Sequence, residues 1–234
     1  MIGVMWASGF GVRLAAEGLW TPKVGDVWVY EVTVEAPREA GLPQGEGIEL
    51  REGIEGKEAF YVQTREFLGK VAAGAEDVKY DAIATKRGGV VEKIDFMEIT
   101  PTAIYARGSK KEGKDPGAYL ILKSPLLLIS TLSSPGDEWK VDSDAAEGED
   151  KAEGPRFKRD FRFFGKDKVQ VPAGEYEALL VRIAGQNGET EIRRSLWFQP
   201  GLGLVKEETG YYTAEKLLVR QTIELKEFQP GGKK

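Results

Sequence analysis

Apolar residues recur at every second position along most of this chain, and runs with a helical period are hard to find. In VWVYEVTV, Trp28, Tyr30, Val32 and Val34 share one face. In LLVRQTIELKEF, Leu217, Val219, Ile223 and Leu225 share one face, while Arg220, Thr222, Glu224 and Lys226 take the other. In FKRDFRF, Phe157, Phe161 and Phe163 line up. Side chains alternate between the two sides of a strand, so each pattern predicts a strand with one apolar face. GAYLILKSPLLLISTL admits a helical turn, although Pro125 and the β-branched residues argue against it.

The punctuation between these runs suits hairpins. Gly88-Gly89 separates YDAIAT from VVEKIDF, Asn187-Gly188 joins ALLVRIAGQ to ETEIRRSLWF, and Gly201-Leu202-Gly203 separates RRSLWF from LVKEE. Glycine tolerates the positive φ of tight hairpin turns, so Gly88, Gly89, Gly201 and Gly203 are read as structural. Pro172 and Gly174 mark a further bend. Two stretches read as solvated loops, the basic ARGSKKEGKDPG at 106–117 and the acidic DSDAAEGEDKAEG at 142–154.

A short pattern occurs twice. Gly25-Asp26-x-Trp28 matches Gly136-Asp137-x-Trp139, and each is followed by an apolar strand, a glycine turn and a strand ending in Glu and Lys. In this alignment GKEAFYVQT takes the place of GEYEALLVRIA, and the turn at 88–89 that of 201–203. It predicts two similar β-meander halves. The expected organisation is an atypical signal segment at 1–18, one all-β domain at 19–228 with halves at roughly 20–123 and 124–228, and a flexible tail at 229–234. The signal reading rests on the apolar start and on Ala15 and Ala16; Arg13 and the missing basic n-region depart from it.

Ordinary catalytic equipment is absent. The chain has no cysteine and no histidine, which removes disulfides, thiolate nucleophiles, Ser-His-Asp sites and His- or Cys-ligated zinc. The pairs Asp137-Glu138 and Glu207-Glu208 have side chains on opposite strand faces, so neither converges on one bond, and both read as solvated. Arg193-Arg194 likewise reads as a solvated pair on an outer face. Asp142, Asp144 and Glu153 resemble part of a calcium loop, but Ala146 and Glu147 stand where that motif wants an acidic or amide residue and then glycine. No catalytic residue, metal site or cofactor is expected. The 33 basic and 38 acidic residues argue against a nucleic-acid partner. SPLLLIS, at 124–130, is far too short to span a membrane.

Gly25-Asp26-x-Trp28-x-Tyr30, Val171-Pro-Ala-Gly174 and Trp197-x-x-x-Gly201-x-Gly203-x-Val205-Lys206 together resemble a group of bacterial exported β-proteins labelled TapB-like. In outline these are similar to the half-barrels of the lipoprotein carriers LolA and LolB. The resemblance covers roughly residues 20–228, implies a cell-envelope or periplasmic location, and brings no catalytic residues. The expected fold is all-β, a large curved antiparallel sheet forming an open or half-closed barrel. The expected function is a non-enzymatic envelope protein whose concave face binds a lipid, another apolar ligand or a lipidated protein partner. The alternative is an interaction protein whose concavity is filled by its own side chains. The candidate cavity wall is Trp28, Tyr30, Trp139, Trp197, Leu179, Val181 and Ile183. Leu179, Val181 and Ile183 share one face of their strand while Ala178 and Leu180 take the other, so this strand must be covered on both sides.

Overall fold

The computed structural model describes residues 18–53, 56–74, 78–112, 119–143 and 157–232. The alternating runs form thirteen strands: β1 (Val27–Ala36), β2 (Glu49–Glu52), β3 (Lys57–Ala73), β4 (Val78–Arg87), β5 (Val90–Ile99), β6 (Ala103–Lys111), β7 (Tyr119–Ser130), β8 (Glu138–Ser143), β9 (Phe157–Val171), β10 (Gly174–Asn187), β11 (Thr190–Gln199), β12 (Gly203–Thr213) and β13 (Lys216–Gln229). No helix occurs among the described residues. All thirteen strands belong to one antiparallel sheet, in the order β7-β6-β5-β4-β3-β1-β13-β12-β11-β10-β9-β8, with short β2 added to β3. The chain starts at the middle of the sheet, meanders out to one edge at β7, crosses to the other edge at β8, and meanders back to the middle at β13.

A sheet this wide must curl to bury its apolar face. It curls into a nearly closed barrel whose inner face is the main core, with Trp28, Tyr30, Val32 and Val34 of β1 in it and Tyr30 and Val32 opposite Leu225 and Ile223 of β13. Along this order, among the described residues, only the seam between β7 and β8 is without a ladder. There the Trp139 indole, stacked on Phe161 at 5.2 Å, donates from Nε1 to the Leu127 carbonyl oxygen across the gap at 3.1 Å.

The two Gly-Asp-x-Trp segments fold alike. Asp26 Oδ2 accepts from Lys23 N at 2.7 Å, and Asp137 Oδ2 from Ser134 N at 2.8 Å. Gly25 N donates to Phe67 O of β3 and Phe67 N to Asp26 O, as Gly136 N donates to Phe163 O of β9 and Phe163 N to Asp137 O. Each phenylalanine is followed two residues on by a positive-φ glycine, Gly69 or Gly165, at a bulge. The two segments therefore share one local hydrogen-bonding pattern, where the start of β1 meets β3 and where the start of β8 meets β9.

Two expectations are corrected. Residues 106–111 are not loop but the second half of β6, laddered to both β5 and β7. Their Arg, Ser and Lys side chains hid a strand whose backbone is paired on both sides. The helical turn considered around Pro125 is strand β7, with Pro125 in an irregular stretch between the Ile121 and Leu126 pairings, where no ladder bond to β6 is required of it. Gly88 and Gly89 both have positive φ, as do Gly201 and Gly203.

One end of the barrel is floored by the chain itself. Leu19 and Trp20, both buried, strap across it: Leu19 N donates to Pro101 O in the β5–β6 turn at 2.7 Å, and Leu19 O accepts from Gly201 N in the β11–β12 turn at 3.1 Å. Trp20 packs edge-on against Trp28 at 5.4 Å, and Trp28 Nε1 donates to Leu202 O at 2.8 Å. The bend at Val171-Pro-Ala-Gly174 is the tip of the β9–β10 hairpin and reaches β13, where Ala173 N donates to Leu225 O at 2.9 Å. On β10, Ala178 and Leu180 are as buried as Leu179, Val181 and Ile183, so the strand is covered on both faces.

Gly203 is constrained twice. Its φ is +101°, and a Cβ there would lie 2.8 Å from Trp20 Cε2 and Nε1. Gly89 has a positive φ but open space around it. Gly203→Val is therefore expected to cost more than the ~1–3 kcal/mol of backbone strain alone, a fall of roughly 4–10 °C or more in Tm for a chain of this size. Gly89→Val should show the strain alone. Equal melting shifts for the two would contradict the Trp20 contact. At the seam, Trp139→Phe keeps the ring but removes the indole donor. Hydrogen–deuterium exchange should then quicken in β7 around Leu126–Ser130 and in β8, with a small change in Tm; unchanged exchange would contradict a latch at this position.

Candidate functional site: the barrel interior

The floor is apolar because the residues of the inner phase near it are apolar: Trp28 from β1, Phe198 and Leu196 from β11, and Leu204 from β12. Moving along the same strands towards the other end, the inner phase turns polar. On β3 it runs Phe67, Arg65, Gln63, Tyr61; on β11, Phe198, Leu196, Arg194, Ile192; on β9, Phe163, Phe161, Arg159. Between these walls lies a cavity of about 620 Å³. Both meanders line it, from Ile83, Met97, Ala106, Leu122 and Leu128 on one side to Phe161, Ile183, Leu196 and Ile223 on the other.

An ion cluster crosses its middle. Glu207, on β12, is buried and accepts from Arg194 Nε at 2.8 Å, from Arg65 Nη2 at 3.4 Å, and from Thr209 Oγ1 at 3.3 Å. Burial alone would raise the pKa of Glu207, but the two guanidiniums and their hydrogen bonds outweigh it and hold the carboxyl down at about 2. Arg65 also lies over the Tyr30 ring, 5.0 Å from its centroid. The Tyr30 hydroxyl donates to Leu204 O at 2.9 Å, and burial pushes its pKa well above the usual tyrosine value. Arg159 faces the same cavity; burial, and then the neighbouring Arg194 charge, pull its pKa down. Nearer the mouth, Lys93 pairs with Asp95 at 2.7 Å, Arg87 with Glu92 at 2.5 Å, and Gln221 Nε2 donates to Tyr61 Oη at 3.1 Å.

Of the candidate wall residues, Trp28, Tyr30 and Ile183 line this cavity. Leu179 and Val181 are packed in the core. Trp139 is at the seam. Trp197 is on the face opposite its neighbour Leu196, donates from Nε1 to Asp167 Oδ2 at 2.8 Å, and lies under Lys206 Nζ at 5.6 Å. Two sequence readings are corrected. Arg193 is outside, bonded to Glu191 and Glu215, but Arg194 points inward. Glu208 is outside with Lys206 at 2.9 Å, but Glu207 is buried. The missed residues Arg65, Arg159, Arg194 and Glu207 share one signal: each is a charge in, or beside, the apolar phase of its strand.

A second, larger hollow of about 850 Å³ runs over the outer face of β8–β13. Its charges pair with one another, exposed in Arg193–Glu191 and partly buried in Lys206–Glu208, and Arg162 and Arg182 lie over the Phe164 ring. It is an open trough of mixed sign whose lining also includes Trp139, Phe161, Phe164 and Ile183. Among the described residues no cluster of three or more carboxylates is arranged to hold a metal, and no helix is long and apolar enough to cross a membrane. Asp144 and Glu153 of the considered calcium loop lie outside the described residues, as does most of the segment at 1–18.

No protein-family model and no curated protein matches this chain. Two solved structures are similar to it. One is described as a "putative lipoprotein" of Parabacteroides distasonis, 15% identical, with a TM-score of 0.36, covering 91% of this chain and 99% of that one. The other is described as a "putative exported protein with YmcC-like fold" of Bacteroides fragilis, 10% identical, with a TM-score of 0.40 and the same coverage. Likenesses of this size assign no function, and the functional reading rests on the chain's own geometry.

The ion cluster has a pH signature. The Glu207 pKa in the fold, about 2, is below its ordinary 4.5. Its ion pairs therefore contribute stability in full above about pH 4.5, and that contribution is lost as pH falls from there towards 2. Glu207→Gln, which leaves Arg65 and Arg194 buried without their carboxylate, is expected to cost about 3–5 kcal/mol at pH 7 and to flatten the acid limb of the stability curve. Urea melts of both proteins between pH 2.5 and 7 check this; parallel curves would contradict it.

Proposed function

We propose that this protein is a non-enzymatic binding protein of the bacterial cell envelope that holds an apolar ligand inside its barrel. The observation that carries the reading is the shape and lining of the interior. A cavity of about 620 Å³ has an apolar floor closed by Leu19, Trp20 and Trp28 and a polar end away from that floor. Ligand pockets are typically ~300–1,000 Å³, mostly apolar, with a few placed polar groups. A core that only filled itself would have no reason to keep this space beside buried charges, since a cavity and a buried charge both cost stability. The envelope location is supported by the signal-like residues at 1–18 and by the resemblance drawn from the sequence motifs. A free lipid and the acyl chain of a lipidated protein are both apolar ligands of this kind.

Two measurements test the reading. Solvent extraction of protein purified from its native envelope, followed by mass spectrometry, should recover a stoichiometric apolar compound. In vitro, displacement of a neutral naphthylamine probe by alkyl compounds of increasing length should tighten about fourfold per methylene, from ~0.8 kcal/mol per buried CH₂, until the chain reaches the floor. Ala106→Phe, which fills the wall between Met97 and Leu126, should end that series several methylenes earlier. No probe binding and a ligand-free extract would leave the self-filled interior as the better description.

A further inference from the structure

The charged groups of the cavity wall are engaged with other protein groups. Glu207 takes Arg65 and Arg194, Lys93 pairs with Asp95, Arg87 with Glu92, and Arg159 donates to the Lys158 carbonyl oxygen. Two uncharged side chains of the wall are not so engaged. Resting on the ligand-binding reading above, we propose that the ligand is an uncharged amphiphile whose polar group both donates and accepts hydrogen bonds, a hydroxyl or a primary amide, and that Gln63 and Thr85 hold this group.

The buried polar side chains of the described residues divide unevenly. Asp26, Asp81, Ser130, Glu207 and Thr209 each have a hydrogen-bond partner. Gln63, 6% exposed, and Thr85, 9% exposed, have none among the described residues. Both line the cavity. Arg65 lies between them, opposite Thr85 in the β3–β4 ladder and two residues from Gln63 on β3, and its Nε is likewise buried without a partner. Buried polar groups are nearly always paired, because leaving one unpaired costs stability. Orphans gathered on two neighbouring strands, facing one space, are what a site looks like when part of its hydrogen bonding is left for a ligand.

The orphaned groups also select the kind of ligand. The Gln63 amide has donors on Nε2 and an acceptor at Oε1, and the Thr85 hydroxyl both donates and accepts. An ionised carboxylate or an ether only accepts, and leaves Gln63 Oε1 unmatched. A hydroxyl or a primary amide matches either side chain in either sense. The placement suits an amphiphile. The Arg65–Thr85 pair is one step above Phe67–Ile83, at the edge of the apolar floor. Phe161 of β9 and Ile183 of β10 are on the facing wall, six strands away from β3 and β4 along the sheet order. A ligand therefore meets hydrogen-bonding groups on one side and an apolar surface on the other.

The test measures decanol, decanamide, decyl methyl ether and decanoate as competitors of the neutral probe at pH 8. The proteins are delipidated wild type, Gln63→Leu, Thr85→Val and the double variant. Decanol or decanamide is expected to bind wild-type protein about 10-fold or more tightly than the ether and than decanoate, as two hydrogen bonds to orphaned groups imply. The ether has one carbon more, so a purely apolar site would rank it first. Each single variant should lower the preference over the ether several-fold, and the double variant should bring it close to one. Neither substitution should lower the Tm of the ligand-free protein, because the group removed has no partner there. Decanol in the lead assigns a hydroxyl, and decanamide a primary amide. An ether that binds as tightly as both, decanoate in the lead, or a preference kept by the double variant would overturn the polar-group inference and leave the apolar site standing. So would a lowered Tm or failed folding in either single variant, since the side chain would then have a structural partner. Failure of all four compounds to bind wild-type protein would overturn both readings.

Discussion

The ladder between β1 and β13 is the contact on which the barrel depends. It pairs the first strand of the chain with the last, from Val27 with Gln229 to Glu35 with Arg220. Every other ladder joins strands that are consecutive in sequence or, for β1 and β3, separated only by short β2, so each meander alone would be an open ribbon with one apolar face exposed. Once β1 and β13 pair, the two ribbons become one sheet wide enough to curl, and the apolar faces close on each other. The residues that make the joint also fill it. Tyr30 of β1 is opposite Leu225 of β13, and both are almost wholly buried. Because this contact is so distant in sequence, its loop-closure entropy has to be met before most of the inner face is buried.

The interior then carries a conflict between burial and charge. A barrel of this width could be filled with aliphatic residues, yet Arg65, Arg194 and Glu207 occupy its middle. Breaking such a group is costly, but keeping it is often no more stabilising than an apolar replacement of the same volume. Its presence is better explained by what it does to the interior: it divides an apolar floor from a polar mouth and gives the space a direction. Thr209 and the Tyr30 ring add contacts on Glu207 and Arg65, so the division is held by several strands at once.

How much of this could be read from the sequence depended on the period of two. Alternation in VWVYEVTV and LLVRQTIELKEF gave an all-β chain, and the glycine pairs at 88–89 and 201–203 gave its turns, because positive φ leaves a mark in the residue type itself. The curved sheet followed from the number of strands. The charged cluster was not read, although it was visible as arginines in an apolar phase: Ile192-x-Arg194-x-Leu196-x-Phe198 is a strand pattern with one member replaced. A rule that treats charges as solvated discards that signal. For Glu207 the signal was weaker still, because the bulge opposite Trp197 and Phe198 shifts the phase of β12 just before it. The pairing of β1 with β13 and the strap made by Leu19 and Trp20 leave no local mark, since both depend on partners far along the chain.

The floor has a consequence for how the molecule is presented. The strap at Leu19 and the end of β13 are on the same side of the barrel: Gly231 N donates to Asp26 Oδ1 at 2.6 Å, and Asp26 is also the residue that shapes the entry into β1. Both ends of the described chain therefore leave from the closed end. Any tether, on either terminus, would hold the molecule like a cup on a stem, with the base towards the attachment and the opening facing away. A ligand of the kind proposed would then enter on the far side, at a height set by the length of the barrel, and the attachment point would not obstruct it.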